Sequence, residues 1–148
     1  MTQVARFTRK RSQARRYAMQ ALYQWQMTRH DLSVIDAQFL ADQDMSGANV
    51  AYFQELLHRV PAQVDAIDAA LVPFLDRPLE QIDPVERAIL WIAGYELLSR
   101  AEIPYRVIIN EAVEIAKEFG AEQGHRFINS VLDKVAHKLR SEEAKTRS

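Results

Sequence analysis

The chain has 148 residues, 48% hydrophobic and 26% charged, enough for one compact core and too little for two full domains, so a single domain over residues 1–148 is expected. It holds no cysteine, which excludes a disulfide scaffold, a thiolate nucleophile, a zinc finger and an iron–sulfur cluster. The formal net charge of -1 conceals a polarity: residues 1–30 carry seven basic side chains and no acid, while the other 118 residues carry 12 basic and 20 acidic ones. No apolar run approaches the roughly 20 residues a membrane span needs, and the Arg-rich start lacks the apolar stretch of a signal peptide. The expected location is therefore the cytoplasm, with no membrane partner.

Thr8 can cap a first helix running to about Met27, in which Ala14, Tyr17, Ala18, Ala21, Leu22 and Trp25 share an inner face. Arg9, Arg16, Gln20, Tyr23 and Met27 collect on the opposite side, and Arg15 is also expected off the inner face. Ser33 with Asp36 resembles a capping box before a short helix from Val34 to Ala41, followed by a loop over 42–47. Phe53, Leu57, Val60, Val64, Ile67, Leu71 and Phe74 keep one phase through Pro61. That pattern predicts either one kinked helix or two nearly collinear ones ending near Pro73. After a turn over 77–82, Asp83-Pro84 supplies a cap and a first helical residue for the nearly all-apolar stretch Ala88–Leu98, which belongs at the centre of a bundle. A helix over 106–119 buries Ile109, Ala112, Val113 and Ala116 and ends on Gly120. A last helix over 123–140 presents Ile128, Val131, Leu132, Val135 and Leu139, and residues 141–148 read as a polar tail. The fold class is all-α, with about seven helices.

Catalytic constellations are weak. Glu55-Leu-Leu-His58 and Glu122-Gln-Gly-His125 have the Glu-x-x-His spacing of a di-metal carboxylate bundle. Glu55 and His58 nevertheless face away from the Phe53–Leu57–Val60 stripe, and Glu122 only just enters its helix. Four isolated glycines cannot build a phosphate loop, and no GxSxG marks a nucleophile. Glu96, alone inside the most apolar helix, reads as a buried acid with a structural partner. No catalytic residue, metal ligand or cofactor is expected.

The basic arm, about 1–16, is more informative. Six Lys or Arg fall within residues 6–16 with no acid, and they continue into a helix that carries Tyr23 opposite the core. Arginine forks suit phosphate and tyrosine can stack on an unpaired base, which points to a polyanion. Single-stranded RNA is favoured over duplex DNA, because no basic recognition helix follows the arm. A protein-only interaction module and a small carboxylate–metal enzyme remain as rivals. Five phosphate contacts would give log K against log salt a slope of about -3.5.

The stretches A-M-Q-A-L-Y-Q-W-Q (18–26), V-E-R-A-I-L-W-I-A-G-Y-E-L (85–97), I-P-Y-R-V-I-I-N-E-A-V-E-I-A-K-E-F-G (103–120) and H-R-F-I-N-S-V-L-D-K-V-A (125–136) closely resemble the bacterial NusB family of transcription antitermination factors. P-Y-x-V-x-I-N-E-A and F-x-N-x-V-L-D are the more specific parts. The resemblance implies a compact all-helical bundle in two packed subdomains, without catalytic activity. It implies binding to the boxA element of ribosomal RNA transcripts together with the small-subunit ribosomal protein NusE, and assembly on RNA polymerase; a homodimer of the free protein is a further possibility. Carried over by position, Arg6, Arg9, Lys10, Arg11, Arg15 and Arg16 look like an RNA-binding arm, and Phe119, Glu122, Gln123 and Phe127 like a second RNA patch. Tyr23, Phe74, Arg77, Glu80 and Glu86 look like a surface for the protein partner, distinct from the RNA patches. The chain departs from the family pattern at Gln123-Gly124, where Asp-Ser is usual, and at Phe74, where Tyr is usual. A related domain is fused to some RNA cytosine methyltransferases, for which 148 residues leave no room.

Overall fold

The computed structural model describes residues 2–143, and among these every regular element is helical. Seven α-helices and three 3₁₀ turns fall into two compact units, Met1–Ala62 and Gln63–Ser148.

In the first unit, α1 (Gln3–Thr28) starts six residues earlier than the Thr8 cap predicts. Thr2 is the cap, its hydroxyl accepting the Ala5 N–H at 3.0 Å, while Thr8 turns its hydroxyl back to the Val4 carbonyl at 2.9 Å inside the helix. The basic arm is thus the first turns of one 26-residue helix, about 39 Å long. It ends on Arg29, whose φ of 55° is left-handed and whose N–H reaches the Trp25 carbonyl. The cap of α2 (Leu32–Asp42) is Asp31 rather than Ser33. A 3₁₀ turn over Met45–Gly47 interrupts the expected loop and buries Met45. Asn49 caps α3 (Val50–Ala62) by accepting the Tyr52 N–H at 3.0 Å. The core joins Ala14, Ala18 and Leu22 to Ile35, Phe53, Leu56 and Val60. The alanines allow α1 and α3 close approach, and Phe39 meets Phe53 at 5.7 Å. Tyr17 and Trp25, expected inside, are only half-buried, and Met19 takes inner space instead.

The second unit begins where the phase over 53–74 breaks. Pro61 sits inside α3, Gln63 leaves helical geometry at ψ 15°, and α4 (Val64–Leu71) starts anew, ending in a 3₁₀ turn over Val72–Phe74. After a second 3₁₀ turn, Leu79–Gln81, Asp83 caps α5 (Pro84–Ser99) as expected, accepting the Glu86 N–H at 3.3 Å. Residues Ala88 through Leu97 are all buried, because α5 is packed by α4, α6 (Tyr105–Phe119) and α7 (Gly124–Leu139). At Gly94 a Cβ would lie 2.9 Å from the Ile67 side chain, so glycine sets the close approach of α4 and α5. On α6, Ile108 and Ile115 are buried where Val113 is only half-buried, and on α7 Leu139 is half-buried.

Residues 140–143 hold this unit together in a way the expected polar tail does not convey. Arg140 donates all five of its N–H groups: to the carbonyls of Leu97, Ile103, Glu96 and Arg100 at 3.0–3.1 Å, and to Glu143 at 2.8 Å. It thereby adds donors to carbonyls at and just beyond the end of α5, where those of Glu96 and Arg100 also accept the Arg100 and Ile103 N–H groups. Glu143 in turn accepts the Tyr105 N–H at 2.9 Å, capping α6, whose own Pro104 cap offers no side chain. The expected tail beyond this, residues 144–148, lies outside the described residues.

Candidate nucleic-acid and partner interface

On α1 the six basic residues of the arm separate into three exposed, two packed on a ring, and Arg16 between these states. Arg6, Arg9 and Lys10 are exposed, at i, i+3 and i+4 spacing on one face. Arg11 and Arg15 instead converge on Tyr52 of α3: their guanidinium carbons lie 4.6 and 5.6 Å from its ring centre, and Arg11 is also 4.7 Å from Phe7. Arg15 is only 3% exposed, which corrects the expectation that Arg9, Arg15 and Arg16 all lie off the inner face. The cause is Tyr52, itself 3% exposed, whose ring offers a cation a favourable face within the core. Arg16 is half-buried and donates to the Ser12 carbonyl at 3.1 Å. Farther along α1, Tyr23 is 40% exposed, as its place opposite the core requires.

In the second unit, residues assigned by resemblance to different ligands are brought into contact. Arg77 lies over the ring of Phe127, 4.6 Å from its centre, and Asp76 holds that guanidinium by two contacts at 2.7 and 3.2 Å. The Arg77 hydrogen bond keeps the Asp76 carboxyl below its usual range. Glu86 is 6% exposed, so it is not the open acidic contact that the resemblance suggests. Its carboxylate lies against Gly124, where a Cβ would come within 2.5 Å of Glu86 Oε2. Burial first, then neighbouring Asp83, pushes the Glu86 carboxyl up, against opposing pulls from Arg77 and the Ala121 N–H. Gly124 opens α7, and Gln123 before it adopts a left-handed φ of 73° and provides no side-chain cap. The negative carboxylate from α5 therefore stands at the start of a helix that has none of its own. The departure Gln123-Gly124 makes room for it.

The remaining residues divide by exposure. Phe119 is 41% exposed at the end of α6, and Glu122 and Gln123 are exposed in the loop before α7. Glu80 is exposed and Phe74 half-buried. Of the first Glu-x-x-His pair, His58 bonds Asp36 at 2.7 Å, an acid that also receives Gln54, while Glu55 is half-buried rather than solvent-facing. Among the described residues no three His, Asp or Glu side chains converge as a metal site. Glu96 is buried, as its position predicts. Tyr52 and Arg140 carry the arrangement with no signal in the sequence that singles them out, and Gly124 stands out there only as part of the Gln123-Gly124 departure. Tyr52 beside Phe53 reads as one more apolar position, and only its approach to α1 reveals its role.

Residues 12–137 match the model of the NusB family. The chain belongs to the NusB family. It is 55% identical to the transcription antitermination protein NusB of Nitrosococcus oceani, over 94% of this chain and 93% of that one. It is 54% identical to the protein of the same name from Pseudomonas entomophila, over 92% and 82%. A solved structure of T. maritima NusB superimposes with a TM-score of 0.76 at 26% identity, covering 90% of this chain and 96% of that one. The exposed cations Arg6, Arg9 and Lys10 precede the matched segment of the NusB family, whereas Arg15 lies inside it. Among the described residues no helix is long and apolar enough to cross a membrane.

Proposed function

We propose that this protein is a cytoplasmic, non-catalytic transcription antitermination factor that binds boxA-type single-stranded RNA together with the ribosomal protein NusE, and so joins an antitermination complex on RNA polymerase. The observation that carries the reading is the exposed stripe of Arg6, Arg9 and Lys10 on an acid-free helix of a NusB-family chain. These three supply phosphate contacts, and Arg16 adds a fourth on release of its Ser12 bond. Arg11 and Arg15 act from behind by fixing α1 on Tyr52. In the second unit, Phe119 and Gln123 offer a ring and a carboxamide for bases, with Glu122 beside them and Phe127 positioned under Arg77. For a basic ribosomal partner, exposed Tyr23 supplies a contact from the first unit, and exposed Glu80 with Phe74 and Arg77 supplies contacts from the second. Glu86 serves both functions by holding the start of α7.

The test is titration into labelled boxA-type RNA and a scrambled control, with and without NusE, at several salt concentrations. Preference for boxA that tightens with NusE is expected, with a slope for the isolated protein of about -2.8 from four phosphates rather than about -3.5 from five. Equal weak binding to both RNAs, unchanged by NusE, would refute the adaptor and favour a protein-only module.

A further inference from the structure

Four polar residues of the two most specific sequence motifs, Tyr105 and Asn110 on α6 and Asn129 and Asp133 on α7, have no part in the function proposed above. All four line one cavity of about 270 Å³, together with Arg106, Ile109 and His137. Helix packing alone does not call for exposed Asn110, Asn129 and Asp133, since the buried positions of these two helices are others, Ile108, Ala112, Ile115, Ile128, Val131 and Leu132 among them. The buried members are Tyr105 and Ile109, 4% and 7% exposed, with the His137 ring edge-on to Tyr105 at 6.0 Å. The other lining groups are exposed, polar and of mixed sign. Asn110 and Asn129 each bring a carboxamide, which both donates and accepts. The Asp133 side chain is 57% exposed and its contact to His137 Nδ1 is a loose 3.6 Å, that nitrogen lying 2.7 Å from the Asp133 main-chain oxygen. Arg106 lies 5.6 Å from the Tyr105 ring centre.

We propose that this cavity binds a short extended peptide segment carrying a lysine or arginine. An extended chain presents N–H and C=O groups in alternation, and paired carboxamides can satisfy both. Asp133 receives the basic side chain by a charge-assisted hydrogen bond, and Arg106 supplies a donor for a main-chain carbonyl. The volume lies near the lower limit of small-ligand pockets, about 300 Å³, and suits one side chain with its flanking peptide groups. A polynucleotide suits it poorly, because Asp133 repels phosphate and Arg106 is the one guanidinium in the lining.

The experiment follows amide resonances of the ¹⁵N-labelled full chain during titration with the capped tripeptide Ac-Ala-Arg-Ala-NH₂ at millimolar concentrations. The expected result is saturable shifts confined to Arg106, Asn110, Asn129, Asp133 and His137 and their neighbours. Binding should weaken about tenfold when Asp133→Asn removes the charge or when glutamate replaces arginine in the peptide. Asn129→Leu, on an exposed position, should abolish the shifts while the rest of the spectrum stays folded. The proposal is overturned if no saturable shift occurs, if the glutamate peptide binds equally, or if pentauridylate occupies the same resonances more tightly. Shifts at these residues that depend on protein concentration alone would overturn it in favour of a second copy. The RNA titration reads α1, so failure of the RNA-binding function and failure of this site are distinguishable.

Discussion

In residues 1–62 arginine crowds a single helix, where some guanidinium groups reach solvent and others lie against Tyr52. In residues 63–148 Arg140 is only 10% exposed and spends every donor on four carbonyls and a carboxylate. The same side chain is a solvent-facing cation in one unit and a main-chain clamp in the other. Its neighbours decide which: beside Tyr52 the guanidinium packs by its face on a ring, whereas at the end of α5 main-chain carbonyls take up its donors. Charge counted along the sequence therefore overstates what is free to meet a polyanion.

The largest expected effect tests the clamp. Arg140→Ala should destabilise the chain by about 3 kcal/mol in urea unfolding, because a half-buried Glu143 loses its cation and the Leu97 and Ile103 carbonyls lose the guanidinium as donor, while those of Glu96 and Arg100 keep their main-chain donors. Arg140→Lys, without the fork, should recover less than half of that loss. Within α1 the contrast sharpens between Arg15 and Arg9. Arg15→Glu should cost about 2–3 kcal/mol by placing an acid at a buried site, whereas Arg9→Glu should leave stability within about 0.5 kcal/mol and weaken RNA binding. Equal stabilities for the two variants would break the division of the arm.

Smaller effects belong to the start of α7. Phe127→Ala should cost about 1.5 kcal/mol for a half-buried ring, with Arg77→Ala costing less, and both should weaken RNA binding. The finest test is a pH slope. The Glu86 carboxyl is raised in the folded state, so the folded chain holds its proton longer than the unfolded chain does. This carboxyl thus makes stability fall as pH rises from the ordinary carboxylate value through the raised one. Glu86→Gln should flatten that decline, leaving the same-signed contribution of Asp68, whose carboxyl burial also raises. A slope unchanged from the parent chain would contradict the buried placement of Glu86.

Several of these residues show why part of the candidate site was unreadable in sequence. The periodicity of Ala14, Ala18 and Leu22, and of Ile128, Val131 and Leu132, marks inner faces because helix geometry is local. The Asp83-Pro84 start of α5 is legible for the same reason. Arg15 was misplaced because it lies at the edge of that inner face, and only the approach of Tyr52 from α3 turns the edge into interior. The resemblance placed Glu86 and Arg77 in one set and Phe127 in another, whereas folding joins Arg77 to Phe127 and Glu86 to Gly124, over sequence separations that no helical period spans.

The sequence by itself determined the helical class, the positions of most helices, the family and the concentration of positive charge at one end. Each follows from spacing, composition or motif within a contiguous stretch. Tertiary structure alone decided which cations remain exposed, that Arg140 and Glu143 cap α5 and α6, and that the start of α7 rests on a carboxylate from α5. Burial and hydrogen-bond satisfaction depend on what the fold brings near a side chain, and those neighbours are set by packing between elements rather than by the chain on either side.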